Sequence, residues 1–415
     1  MKSKMVKGKR LGIILALTLA ALLLFAACAP APTTAEGKTV EVAGILPLTG
    51  GGGPANQEMM PGIFDYFRYF NEQDGIPGVS IVFRWADTTN QYSGVYSNYE
   101  KFVAHGIHLM YLIETYGLYG LEDRFAKDEV VILGTATGFQ DMAYAPGWRY
   151  FQCPTPAEEF AVVAQYFKEN WKEARPPRLA FVGIQSQFGV DVQSEGTKYA
   201  QSLGFEVLPP ETVPYIVIDA TTQLLRLKEE GADLVYLQTI ATATVPILRD
   251  AERLGLLYQM HIAGTEIGMG ESAIQGAGAG SEGYIMPMIT PWFDETEVPG
   301  VKLMIDLQTK YHGNVGKNPS YRNGFVMTAV ACETIKRAIE NVGYENLDGT
   351  AIKEAVDSMQ DFDVYGLASI TYKDRPLDHR GITRVAIYEI KGGKIVPVTD
   401  WRESPSLVPE GLVRE

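Results

Sequence analysis

From Val40 onward the chain alternates short apolar runs with longer stretches whose apolar residues recur every three or four positions. Runs at 42–48, 79–83, 108–113 and 130–133 have the length and the continuous apolar character of strands buried on both faces. Between them, 61–71, 96–104 and 119–127 carry the helical period, and the first of these ends at the turn pair Asp74-Gly75. The cycle then repeats, with strands at 179–184, 205–208, 234–238 and 260–263 and helices at 158–171, 192–203, 221–230 and 244–254. A β-α-β-α rhythm places parallel strands under helices on both faces. Two successive runs, divided near 149–156, predict two similar α/β lobes of Rossmann-like build and not one large sheet. A further strand at 283–289, a long helix at 321–341, a helix at 350–358 and a β-rich segment at 367–399 must be shared between them.

The N-terminus follows a different pattern. Lys2, Lys4, Lys7, Lys9 and Arg10 form a basic patch ahead of an apolar run, Leu11 to Ala27, which is shorter than the ~20 residues of a comfortable membrane span. Residues 1–27 therefore read as an export signal that is later removed. Phe25-Ala-Ala-Cys28 resembles a bacterial lipobox, in which small residues precede a cysteine that takes a lipid; Ala27-Cys-Ala29 also satisfies an ordinary A-x-A cleavage site. A single cysteine placed where the apolar run ends favours lipidation at Cys28. Residues 28–39, rich in Pro, Thr and Ala, then form a tether, so the protein is expected outside the cytoplasmic membrane and held near it.

Composition narrows the function. Across 415 residues the formal charge is −14, and because the first 27 residues are purely basic, the remainder is more acidic still. That balance argues against a nucleic-acid partner, which needs a surplus of Lys and Arg. Three cysteines do not make a disulfide scaffold, and Cys153 and Cys332 read as buried thiols, with one disulfide as the alternative. The five histidines form no H-E-x-x-H pair and none lies near a cysteine at zinc-ligand spacing, so no metal is expected. There is no G-x-S-x-G. Gly278-Ala-Gly-Ser-Glu-Gly283 satisfies G-x-G-x-x-G, but it precedes a strand, whereas a nucleotide site needs the helix to follow the turn. No catalytic motif and no cofactor site emerges, and an enzyme is not expected.

In open α/β sheets ligands bind beyond the carboxyl ends of the strands. After the first strand comes Leu48-Thr-Gly-Gly-Gly-Gly-Pro54, whose glycines let backbone N–H groups approach an anion, or simply form a surface loop. Glu114-Thr-Tyr-Gly117 and Thr135-Ala-Thr-Gly138 follow the third and fourth strands; their hydroxyls suit a carboxylate, or plain helix capping. Gly264-Thr-Glu266 follows the eighth strand, where a carboxylate facing the first lobe would hold a cation. Tyr116, Phe139, Tyr150 and Phe188 lie in or near these loops, and Tyr116 and Phe188 are the two favoured as an aromatic wall.

The order of these features resembles one family: the substrate-binding proteins of branched-chain-amino-acid-type ABC importers, with a type I periplasmic-binding-protein fold. The matching pieces are Ile45-Leu-Pro-Leu-Thr-Gly50, Asn71-Glu-Gln-Asp-Gly-Ile-Pro-Gly78, Trp85-Ala-Asp87 and the 183–189 stretch with Phe188-Gly189. Gly231-Ala-Asp-Leu-Val-Tyr236, Arg253-Leu-Gly-Leu256, Asn318-Pro-Ser-Tyr321 and His379-Arg-Gly381 leading to Trp401 complete the set. The resemblance spans Val40 to Trp401. It implies a clamp of two lobes joined by a three-strand hinge, with lobe 1 formed by 40–149 and 290–375, lobe 2 by 150–289 and 376–403, and a C-terminal tail at 404–415. It also implies ligand capture between the lobes and docking on a membrane permease, with a monomer as the default state. Carried over by position, the family's carboxylate donors fall on Thr115 and Tyr116, its Ala-Thr pair on Ala136 and Thr137, and the acid that pairs with an amino group on Glu266. Ile240 stands where amino-acid binders place a tyrosine, and Glu114-Thr-Tyr116 replaces a serine run, so an amide, urea or aromatic acid competes with a branched-chain amino acid as ligand. A buried zwitterion needs each charge paired, which places the donors and Glu266 on opposite walls. The rival expectation is a receptor domain that reports its ligand to a signalling partner.

Overall fold

A computed structural model describes residues 37–135, 140–144, 146–313, 316–374 and 377–412. The signal, Cys28 and the tether as far as residue 36 lie outside the described residues; Lys38 and Thr39, expected as the end of the tether, instead begin the first strand, where they pair with Val79 and Ser80.

Strands β1 (Lys38–Leu46), β2 (Val79–Asp87), β3 (Leu109–Leu112), β4 (Val131–Gly134) and β5 (Arg149–Phe151) form one parallel sheet in the order β2-β1-β3-β4-β5. β3 and β4 are buried at every position. Successive side chains point to opposite faces, so Leu109 and Tyr111 enter one apolar core while Met110 and Leu112 enter another. That double burial is why these strands read as unbroken apolar runs.

The second sheet is built on β6 (Arg178–Ile184), β9 (Leu234–Gln238), β10 (His261–Gly264) and β11 (Ile285–Met288), all parallel, with the short β7 (Glu206–Val207) and β8 (Glu211–Val213) beside β6. Arg384–Lys391 adds antiparallel to β11 and Lys394–Pro397 pairs with it in turn, so much of the β-rich C-terminal stretch closes this sheet. The fold is therefore α/β with two mainly parallel sheets.

Two of the expected helices differ from the sequence pattern. The first runs Gly53–Glu72, starting well before 61: Pro54 occupies its first turn, where a missing N–H costs nothing, and Pro61 lies inside it. The segment expected as one helix over 119–127 is two, Thr115–Gly120 and Glu122–Lys127, broken at Leu121. Pro299–His312, Glu271–Ala277 and the short Gln140–Tyr144 and Gln187–Val190 are helices where the period places none; the other expected helices fall within a few residues of their expected positions. Pro319–Val342, capped by the Asn318 side chain on the Tyr321 N–H (2.7 Å), lies against Gly53–Glu72.

The chain passes from the first sheet to the second after β5, returns after β11 to the helix Pro299–His312 beside Gly53–Glu72, and crosses again near 379–383 to Arg384–Lys391. Two of these passages run side by side: Phe151 N–H donates to His379 O, and Gly381 and Ile382 N–H donate to Phe151 O and Gln152 O, each at 2.8 Å. Arg380 is buried there between Asp378 and Glu158, at 2.8 Å from each.

Candidate ligand cleft

A cleft of about 340 Å³ lies between the two sheets, at the carboxyl ends of strands from both. From the first sheet come Pro47 after β1, Asn90 after β2, Glu114 to Tyr116 after β3 and Thr135 after β4. From the second come Gln185 to Phe188 after β6, Tyr215 after β8, Gln238 and Ile240 at the end of β9, and Thr265 to Ile267 after β10. This is where an open α/β sheet offers helix starts and loops to a ligand.

Of the residues singled out from sequence, Thr115, Tyr116, Phe188 and Glu266 line this one cleft. Ala136 and Thr137 lie outside the described residues, as does Phe139; Thr135 just before them lines the cleft. Tyr150 is not among the lining residues, since its ring stacks on His379 at 4.1 Å, beneath the crossing segments, and its hydroxyl bonds Asp357. Cys153 and Cys332 are both buried thiols. Gly278–Ser281 is a 3-10 turn running into β11, with no helix behind it to receive a phosphate. Among the described residues no group of His, Cys, Asp or Glu is arranged to hold a metal ion.

The residues that open the glycine loop are held from within the protein. The N–H groups of Leu48 and Thr49 donate to Asp87 Oδ1 at 2.9 and 3.2 Å, and Thr49 Oγ1 donates to Asp87 Oδ2 at 2.6 Å, so a carboxylate of the protein already occupies the start of the turn. What glycine allows is close approach: a Cβ on Gly51 would lie 2.6 Å from the ring of Tyr215 on the opposite lobe. A similar crowding fixes the turn bearing Phe188, where a Cβ on Gly183 would meet Gly189 O at 2.0 Å.

Glu266 is not an open carboxylate. Arg322 Nη2 donates to its Oε2 at 2.8 Å and Asn323 Nδ2 to its Oε1 at 3.1 Å. Arg322 is fully buried, bonds the carbonyls of Thr290 and Pro291 (2.9 and 3.1 Å), and lies over the ring of Trp292 at 5.0 Å. The sequence-based expectation that Glu266 waits for a ligand amine is thus modified: its charge is answered within the protein.

Two further carboxyl groups line the cleft. Glu114, 7% exposed, accepts from Tyr116 Oη (3.1 Å) and from Thr88 Oγ1, both on Oε1, and its Oε2 is buried with no hydrogen-bond partner among the described residues. Burial pushes its carboxyl up to about 7, against those two hydrogen bonds, which favour ionisation. Glu159 begins the helix Pro156–Asn170 near its capping box; burial, with the charge of Glu266 adding to it, holds its carboxyl well above the usual range. Gln238, at the end of β9 on the same side of the cleft as Glu159, is fully buried and neither atom of its amide has a partner among the described residues. Sequence reading did not single out Glu159, Gln238, Tyr215 or Asn323. Glu159 sits in a helical period like any surface acid, and Gln238 ends an apolar strand; only its polarity at a strand's carboxyl end marked it.

Two α/β lobes that share a cleft at their strand ends, lined from both sides, are the architecture of a type I periplasmic binding protein. The chain belongs to the periplasmic binding protein family, whose model, described as "Periplasmic binding protein", matches residues 39–394. Three solved structures illustrate the likeness. A branched-chain amino acid ABC transporter protein from Thermus thermophilus with bound valine superposes with a TM-score of 0.81 at 23% identity, covering 89% of this chain and 97% of its own. A fatty acid ABC transporter substrate-binding protein from Thermomonospora curvata gives 0.78 at 16%, covering 89% and 94%. A leucine-binding protein from Thermotoga maritima gives 0.71 at 16%, covering 87% and 98%. At these identities the likeness establishes the type I fold, and the three differ in the ligands they are named for. A search of curated proteins finds no match.

Proposed function

We propose that the protein is the extracytoplasmic solute-binding component of an ABC importer, anchored by lipid at Cys28, which captures a small amino-acid-like, amide or aromatic-acid metabolite and hands it unaltered to a permease. In this proposal lobe 1 (40–149 and 290–375) and lobe 2 (150–289 and 376–403) close as two bodies about the three crossing segments. The observation that carries the reading is the cleft itself, lined by strand ends of both sheets. A ligand that touches both lobes stabilises the closed form by whatever affinity it has for that form over the open one. Thr115, Tyr116 and Phe188 are the contact residues this reading names, with Ala136 and Thr137 beside them. The family membership and the lack of any catalytic motif support capture without chemistry.

The test is a thermal-shift screen of the exported protein over amino acids, amides, ureas, aromatic acids and organic amines, since binding to the folded state raises the melting point. Each hit is then followed by mass spectrometry and small-angle scattering. Capture predicts ligand recovered unchanged and a smaller radius of gyration on binding; turnover of the hit, or no hit in any class, overturns it.

A further inference from the structure

Resting on the capture reading, the polar chemistry of the cleft points to the charge of the ligand. The charged side chains among its described lining residues are all acidic: Glu114, Glu159 and Glu266. Arg322 answers Glu266; no described cation forms an ion pair with Glu114 or Glu159. Hydrogen-bonding capacity is skewed in the same direction. The buried lining atoms that lack a partner among the described residues are three oxygens, Glu114 Oε2, Gln238 Oε1 and Asn323 Oδ1, and one N–H donor group, Gln238 Nε2. A buried acceptor with no donor is costly unless a ligand supplies one. The rings of Tyr116, Tyr215 and Phe188 complete the lining, and aromatic faces attract organic cations.

We infer that the cleft takes an organic cation, an amine or substituted ammonium on an apolar body, whose N–H donors bridge Glu114 Oε2 of one lobe and Gln238 Oε1 of the other. Such a ligand satisfies one orphaned oxygen on each lobe, so it is held only when the lobes are together. A zwitterion gains less, because among the orphaned lining atoms only Gln238 Nε2 offers its carboxylate an N–H donor.

Glu114 is faced by Asp87, Thr88 and Tyr116, with Tyr215 beyond Tyr116, and by the Glu159 and Glu266–Arg322 groups elsewhere in the cleft. With its carboxyl at about 7, two ligand chemistries give opposite pH responses. A cation draws Glu114 into its ionised form, so binding tightens as pH rises from about 6 to about 8 and releases a proton. A ligand carbonyl or carboxylate needs the protonated acid as donor, so binding weakens over the same range.

The experiment uses four probes on one carbon frame: isohexylamine, leucine, isocaproamide and isocaproate, titrated calorimetrically at both pH values against the wild type and Glu114→Gln, an isosteric change that keeps Oε1 for Thr88 and Tyr116. The expected result is isohexylamine binding at least about tenfold tighter than the other three, tightening with pH, and losing roughly tenfold or more in Glu114→Gln together with its pH dependence. If isocaproate, isocaproamide or leucine binds as tightly or tighter, or if amine binding weakens with rising pH, the charge assignment fails while solute capture stands. If none of the four binds and the wider screen is also empty, capture fails with it.

Discussion

Arg322 places a positive charge in the protein interior, paired with Glu266 at 2.8 Å. It is fully buried, and its partner Glu266 nearly so. Removing one member of such a pair leaves the other charge uncompensated, at a cost of about 3–5 kcal/mol, whereas replacing both is far milder. Arg322→Met should therefore lower the urea unfolding free energy by that amount, and the Arg322→Met/Glu266→Gln double variant should recover much of it; an additive double would mean the two do not act as a pair. Asp191 supplies a pH signature. It is buried, and burial, with the charge of Asp141 acting in the same direction, pushes its carboxyl up to about 8. Its folded-state pKa lies above its unfolded value of ~4, so between the two the folded state holds the extra proton and stability falls as pH rises, levelling off above about 8. Glu114 acts in the same direction up to about 7, while His379, lowered to about 4 by burial, adds stability between about 4 and 6.5. From about pH 7 to 8 Asp191 and the buried Glu159 both contribute to the decline, and Asp191→Asn should make the melting temperature fall less steeply across that interval.

At the scale of elements, most of the architecture was legible because burial on both faces writes continuous apolar runs, and β3, β4, β6 and β9 are such strands. The helix starts were harder. Pro61 looks like an opening residue, yet Pro54 opens the helix, since proline fits the first turn and the sequence cannot say which of two prolines is there. Equally hidden was the reason for glycine at 62 and 324. A Cβ on Gly62 would sit 2.1 Å from Tyr321 O, and one on Gly324 would sit 2.5 Å from Met59 O, so the two long helices touch backbone to backbone. In an isolated helix Gly→Ala is favourable by about 1 kcal/mol. Here overpacking reverses the sign: Gly324→Ala should destabilise by about 1–3 kcal/mol in chemical denaturation. A stabilising Gly324→Ala would show that the helices can separate at no cost.

For the whole molecule, what sequence could not show is who meets whom across the cleft. Glu266 and Arg322 lie far apart in the chain, Tyr215 sits in a loop with no helical or strand period, and the acidic lining is assembled from separate strand ends. The Gly51–Tyr215 contact is the most direct consequence. It joins the first lobe's glycine turn to the second lobe's aromatic ring, and there is no room for a side chain between them. If the lobes open when empty, that contact exists only in the closed form, so a bulky residue at 51 penalises closure without penalising folding. Gly51 has no positive φ to lose, which removes backbone strain as a competing cause. Gly51→Val should therefore leave the unfolding midpoint of the ligand-free protein essentially unchanged, weaken any ligand found in the screen by tenfold or more, and keep the loaded protein's radius of gyration close to the empty value. An equal loss of stability in the empty protein would mean instead that the lobes are already locked together before ligand arrives, and that affinity is set by the pocket rather than by closing.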